Sequence, residues 1–177
     1  MLKSNLAILF LISGVGCFAQ SILRSGSSLT SSEAEEVLVY HNNVRQEVGV
    51  GPLEWSRELA GYAQKWADQL AASGCEMNHR PRSGVWKQQH GENLFWGSDA
   101  DVYTALDACE SWYSEKKFYR NAPVGNGNFS QVGHYTQMVW SKTTHVGMAK
   151  AVCRDGSVLV VANYDPPGNY LGQKPYP

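Results

Sequence analysis

The sequence predicts an α+β fold in which helices cover a three-stranded antiparallel sheet. Three observations point there. Residues 32–119 carry helix-period apolar stripes. Residues 132–164 carry β-branched and aromatic runs broken by turn residues. The central run Val158-Leu159-Val160-Val161 is apolar on both faces, so the sheet needs cover on both sides.

The elements follow in order. Residues 1–19 read as a secretory signal peptide: Lys3, an apolar run from Leu6 to Ile12, and small residues up to a cut after Ala19. A buried helix and a lipid attached to Cys17 are the competing readings of that stretch. The apolar run is too short to span a bilayer, and no later segment is long enough. Residues 20–32 are Ser-rich and aperiodic, which predicts a flexible lead-in before a domain over 33–177. Ser32 and Glu35 form an S-x-x-E capping box. Val37, Tyr40, His41, Val44 and Val48 then recur at helical spacing until Gly49. Ser56 caps a second helix with Leu59, Ala63, Trp66, Ala67 and Leu70 on one stripe, ending at Gly74. Residues 75–99 are polar and irregular, and a connection of that length in a small domain usually carries function. A third helix is expected from about Asp101 to Tyr119. Strands are expected over Val132–Trp140, Val146–Cys153 and Ser157–Tyr164, with Asp155-Gly156 as a hairpin turn.

Composition narrows the function classes. The chain has 177 residues and a formal charge of −1, so no basic excess exists to neutralise nucleic-acid phosphates. Beyond Cys17 the cysteines are Cys75, Cys109 and Cys153; three allow at most one internal bridge. Cys109 sits on the apolar stripe of the third helix and reads as a buried small hydrophobe. No G-x-S-x-G, H-E-x-x-H or phosphate-binding loop occurs.

Five histidines are present, and each taken singly is more often structural than functional. Two stand out by context: His79 in the irregular segment, and His134 after Gly133 at the expected start of a strand. Glu92, within HGENLFW, is a carboxylate beside an aromatic run that must be exposed or paired. Glu115 shares a helix face with Trp112 and Tyr119, or pairs with a neighbouring lysine at the surface. Spacing alone does not join these four. Asn128-Phe129-Ser130 is an N-glycosylation sequon.

The segments GHYTQMVWSKT, ANYDPPGNYLGQKPY, HGENLFW and WYSEKKFY resemble, in order, motifs of the CAP superfamily of cysteine-rich secretory, antigen 5 and pathogenesis-related proteins. The similarity runs over residues 34–176. It implies an α-β-α sandwich with a large cleft and an extracellular, secreted protein. It also implies that His79, Glu92, Glu115 and His134 face that cleft. The two histidines would hold a divalent ion, zinc first, with the two glutamates orienting them. Free imidazole titrates at about pH 6.5, so acid would release such an ion. The chain departs from the family pattern at Ala162, Val132 and Met148, where cysteines are expected; the resemblance pairs Cys153 with position 162, so that bridge cannot form. Three functions follow as expectations: binding of a sterol or fatty acid, interaction with an extracellular protein in defence or immunity, and, as the alternative, a metal-dependent hydrolase using the same four residues. The resemblance favours a binding role over catalysis.

Overall fold

Thr30 begins the folded core's first helix, α1, Ser31–Glu47. Its side chain accepts from the Glu33 amide at 3.2 Å, and Glu33 Oε2 accepts from the Thr30 amide at 2.7 Å. The capping box therefore lies two residues before the expected one, on an equivalent T-x-x-E pattern. The structure is a computed structural model that describes residues 25–177 apart from Asn126 and Asn128. The proposed signal peptide, Cys17 and Asn128 lie outside the described residues. Residues 25–30, within the expected lead-in, are packed against the fold. Ser25 and Leu29 are buried, and the Ser27 and Ser28 hydroxyls donate to the Met148 and Lys150 carbonyls.

The second helix, α2 (Arg57–Ala72), starts where expected, with Ser56 Oγ accepting from the Leu59 amide. The third is shorter than expected. Thr104 and Asp107 make a second capping box, α3 runs only over Ala105–Ser114, and Glu115–Phe118 form a 3-10 turn. Val102, inside the expected helix, is exposed ahead of the observed one.

The largest correction concerns residues 129–140. Phe129–Met138 is a helix, α4, and not a strand. Its buried residues Val132, Tyr135 and Thr136 fall at i, i+3 and i+4, one face of a helix, and Val139 just beyond its end continues that face. The β-branched and aromatic residues read as strand-forming, but packing overrides that weak preference. His134 thus sits inside a helix.

The sheet has four strands, not three, in the order β1 (Glu54–Trp55), β3 (His145–Val152), β4 (Val158–Asp165), β2 (Gly91–Gly97). Strand β1 is parallel to β3, and the other pairs are antiparallel. The β3–β4 hairpin turns through Gly156, at φ +88°, as the Asp-Gly pair predicts. Strand β2 emerges from the segment expected to be irregular.

Alternation along β4 divides the core. Leu159 and Val161 join Leu94, Ala149 and the buried side of α2. Val160, Ala162 and Tyr164 join the buried sides of α1, α3 and α4. Helices therefore cover both faces of the sheet. Gly147 lets α2 approach β3; a Cβ there would meet the Ala60 amide and lie 2.6 Å from the Ser56 carbonyl. Cys75 and Cys153 form a disulfide, with Cα atoms 6.0 Å apart, and Cys109 is free and buried. The open pairing question resolves in this way: position 162 faces Met148 across the hairpin, and the partner of Cys153 lies 78 residues upstream.

Candidate functional site

A cleft of about 640 Å³ opens where the long loop after α2, the start of β2, the helix α4 and the segment after β4 meet. His79, Glu92 and His134 all line it. Each histidine rests on its own carboxylate.

On one wall, His79 Nδ1 lies 2.9 Å from Glu92 Oε1. Glu92 opens β2, and its side chain is wholly buried. The same oxygen accepts from the Arg80 amide at 3.0 Å. Its second oxygen accepts from Asn163 Nδ2 at 3.4 Å and faces Arg80 Nε at 3.7 Å. A buried carboxylate demands such partners. Arg80 is in turn caged, with its guanidinium 3.8 Å from the Tyr62 ring centre and near Trp66 and Trp86. Its Nη2 donates to the Tyr62 carbonyl. Burial lowers the Arg80 pKa from its ordinary value, while Tyr62 and Glu92 oppose that shift.

On the other wall, His134 Nδ1 lies 2.6 Å from Glu115 Oε1. Glu115 Oε2 accepts from the His134 and Tyr135 amides at 2.9 and 3.1 Å, as a capping side chain does. One carboxylate thus fixes both the ring and the backbone that bears it. The His134 ring stacks on Trp112, 6.2 Å between centres. Glu115 stands behind the ring and does not line the cleft.

Both Nδ1 atoms face carboxylates, so the proton belongs on Nδ1 and the Nε2 lone pair is free. Among the described residues, neither Nε2 has a protein partner. Two neutral imidazoles with oriented rings are suitable donors for zinc, and water completes such a shell. Among the described residues, no group of three or more His, Cys, Asp or Glu side chains is gathered for a metal. His79 and His134 are the cleft residues that would hold such an ion.

Several cleft residues escaped the sequence reading. His90, not singled out by the sequence, lines the cleft with Nδ1 3.0 Å from Asp165 Oδ1 and its ring edge-on to Tyr62. Gln137 Oε1 accepts from the Gly168 amide, and Asn169 bonds Thr136 Oγ1 and the Gly133 carbonyl. These bonds hold residues 167–169 as the cleft's edge. The available signal was the run of amide and hydroxyl side chains within otherwise apolar GHYTQMVW. Two further histidines lie elsewhere. His41 is wholly buried between the Val37 carbonyl and the Tyr164 hydroxyl, and His145 sits beside Glu54 at the sheet edge.

Helical layers on both faces of a four-stranded sheet, beside a cleft with two carboxylate-braced histidines, define an α-β-α sandwich with a polar binding site. A family model described as the cysteine-rich secretory protein family, CAP, matches residues 38–164, and the chain belongs to that family. It is 39% identical to pathogenesis-related protein 1C of Nicotiana tabacum over 176 residues, covering 99% of this chain and 98% of the relative. It is 41% identical to pathogenesis-related protein PRMS of Zea mays, covering 84% and 86%. Among solved structures, BmVAL-1 superposes with a TM-score of 0.72 at 28% identity, covering 85% of this chain and 84% of that one. NaASP2, crystallised with Zn2+, gives 0.69 at 27% identity, covering 80% and 83%.

Proposed function

We propose that this protein is a secreted, defence-type binding module whose cleft takes a divalent cation, zinc first, on Nε2 of His79 and His134. One observation carries the reading: both rings are anchored through Nδ1 on separate carboxylates and line the same cleft. Glu92 and Glu115 orient the rings and fix which nitrogen faces the cleft. The bound cation would supply a Lewis-acidic point for a ligand oxygen. The NaASP2 structure with Zn2+ supports the choice of metal. Kinship with pathogenesis-related proteins supports the defence role and the extracellular location. The Cys75–Cys153 bridge suits an oxidising compartment. Among the described residues no helix is long and apolar enough to cross a membrane.

The sterol or fatty-acid reading draws less from this cleft, half of whose lining residues carry charged or amide side chains beside one phenyl ring, Phe129. The hydrolase alternative gains no nucleophile from Cys109, which is buried and whose thiol is pushed well up by desolvation. An extracellular protein partner is compatible with the same surface.

Zinc titration by calorimetry tests the reading. His79→Ala and His134→Ala should each weaken binding at least about tenfold, as loss of one of two ligands implies. Unchanged affinity in both variants would overturn it.

A further inference from the structure

Two cations that line the cleft stand without an acidic partner. Each carboxylate at its edge already has a basic or imidazole partner: Glu92 with His79 and Arg80, Glu115 with His134, Asp165 with His90. Two cationic side chains on the same loop, Arg82 and Lys87, also line the cleft and are exposed. Among the described residues neither side chain makes an ion pair or a hydrogen bond through its charged group. The chain as a whole carries a formal charge of −1, so this unmatched pair is a local feature. A concave wall of one charge sign raises the local concentration of ligands of the other sign.

The facing wall is different. Phe129, at the start of α4, is 42% exposed and presents its ring to the cleft. Amide side chains, Gln89 among them, also line the cleft. Amides supply both donors and acceptors for hydroxyl groups, and an aromatic face packs on the C–H face of a sugar ring.

We infer that the cleft binds an acidic oligosaccharide, a chain of uronic-acid units. Its carboxylates face Arg82 and Lys87, and one sugar ring lies against Phe129. The inference rests on the binding-module reading above. The cation at His79 and His134, where bound, gives a further carboxylate its partner, but the basic wall stands without it.

The test uses the full mature protein, with and without zinc, and three probes: a hexamer of galacturonic acid, maltohexaose and hexaglutamate. The uronic-acid hexamer should bind saturably and lose affinity as salt rises. Maltohexaose should bind far more weakly. The double variant R82Q/K87Q, changed only at exposed loop positions, should bind the acidic hexamer about tenfold more weakly, the effect of two partly screened charge contacts. Phe129→Ala should weaken it while leaving zinc affinity unchanged. No saturable binding by the wild type, equal binding by R82Q/K87Q, or hexaglutamate binding as tightly as the sugar would each overturn the inference. Failure is separable from that of the cation site. Zinc binding without sugar binding removes only this inference, and sugar binding by the metal-free protein that cannot take up zinc removes only the cation.

Discussion

At the scale of single residues, two of the histidine environments make opposite demands. His41 is fully buried, and burial lowers its pKa from 6.5 to about 4, against the bond from its ring to the Val37 carbonyl. An unfolded chain takes up a proton on this residue below about pH 6.5, and the folded chain only below about pH 4. Folded stability therefore falls as pH drops through that window, by about 2–3 kcal/mol at pH 4.5, and is indifferent to this group above it. A His41→Asn variant should be less stable at pH 7, and its deficit should shrink toward pH 4.5 in urea unfolding. A deficit of constant size would contradict the assignment. His134 is held for use instead. Glu115 grips its Nδ1 and its amide together, so Glu115→Gln should cost about tenfold to a hundredfold in zinc affinity. The variant's unfolding midpoint, measured alongside, separates lost orientation from lost fold. The residues stood out singly by context, but their pairing was visible in the sequence only through resemblance to a family. Positions 79, 92, 115 and 134 share no local spacing, because they meet through four separate elements. The supports Arg80 and Asn163 were not visible at all, since a buried ion pair leaves no periodic trace.

At the scale of elements, the sequence indicated the hydrophobic faces better than the secondary structure that bears them. Helices α1 and α2 have long stripes and clear caps, and both were legible. In α4 the same apolar residues satisfy a helix and suggest a strand, and a ten-residue span offers too few repeats to decide. Strand β2 was hidden for the converse reason. It is buried over most of its length, so it shows no in–out alternation. Close approach between elements also depends on residues with no hydrophobic signal. Gly147 lies on β3 beneath the first turn of α2, where a Cβ would meet main-chain atoms rather than a movable side chain. Gly147→Ala should therefore destabilise the fold by about 3 kcal/mol or more, because α2 must lift off the sheet. Thermal unfolding checks it. A loss under 1 kcal/mol would mean that the helix shifts without cost. Arg45 works in the other direction, joining elements by polarity. Wholly buried in α1, it donates to the carbonyls of Gly51, Met138, Trp140 and Thr143. Desolvation lowers its pKa to about 10, which leaves it charged at the C-terminal end of α4, where a cation is favoured.

At the scale of the whole molecule, the disulfide and the cleft are parts of one arrangement. Cys75 lies just past Ser73 and Gly74 at the end of α2, and Cys153 follows β3, so the bridge fastens the far end of α2 to the sheet. The loop that leaves Cys75 carries His79, Arg80, Arg82 and Lys87 to the cleft. Its inner part is held by Arg80 and Glu92, but its root is held by the bridge. Closing a loop of 78 residues restricts the unfolded chain by about 4 kcal/mol on the chain-entropy model. Reduction should then lower the unfolding midpoint by roughly 12 °C. Its effect on binding should be distinct. With the loop's root released, His79 is less well placed while His134, fixed by Glu115 within α4, is unaffected. Zinc affinity at 25 °C should fall toward that of the His79→Ala variant, and reduction should add little in that variant, with circular dichroism checking that the reduced protein is folded. Calorimetry on Cys75→Ser/Cys153→Ser, with and without His79→Ala, measures the coupling. Full zinc affinity in the unbridged protein would show that Arg80 and Glu92 hold the loop unaided.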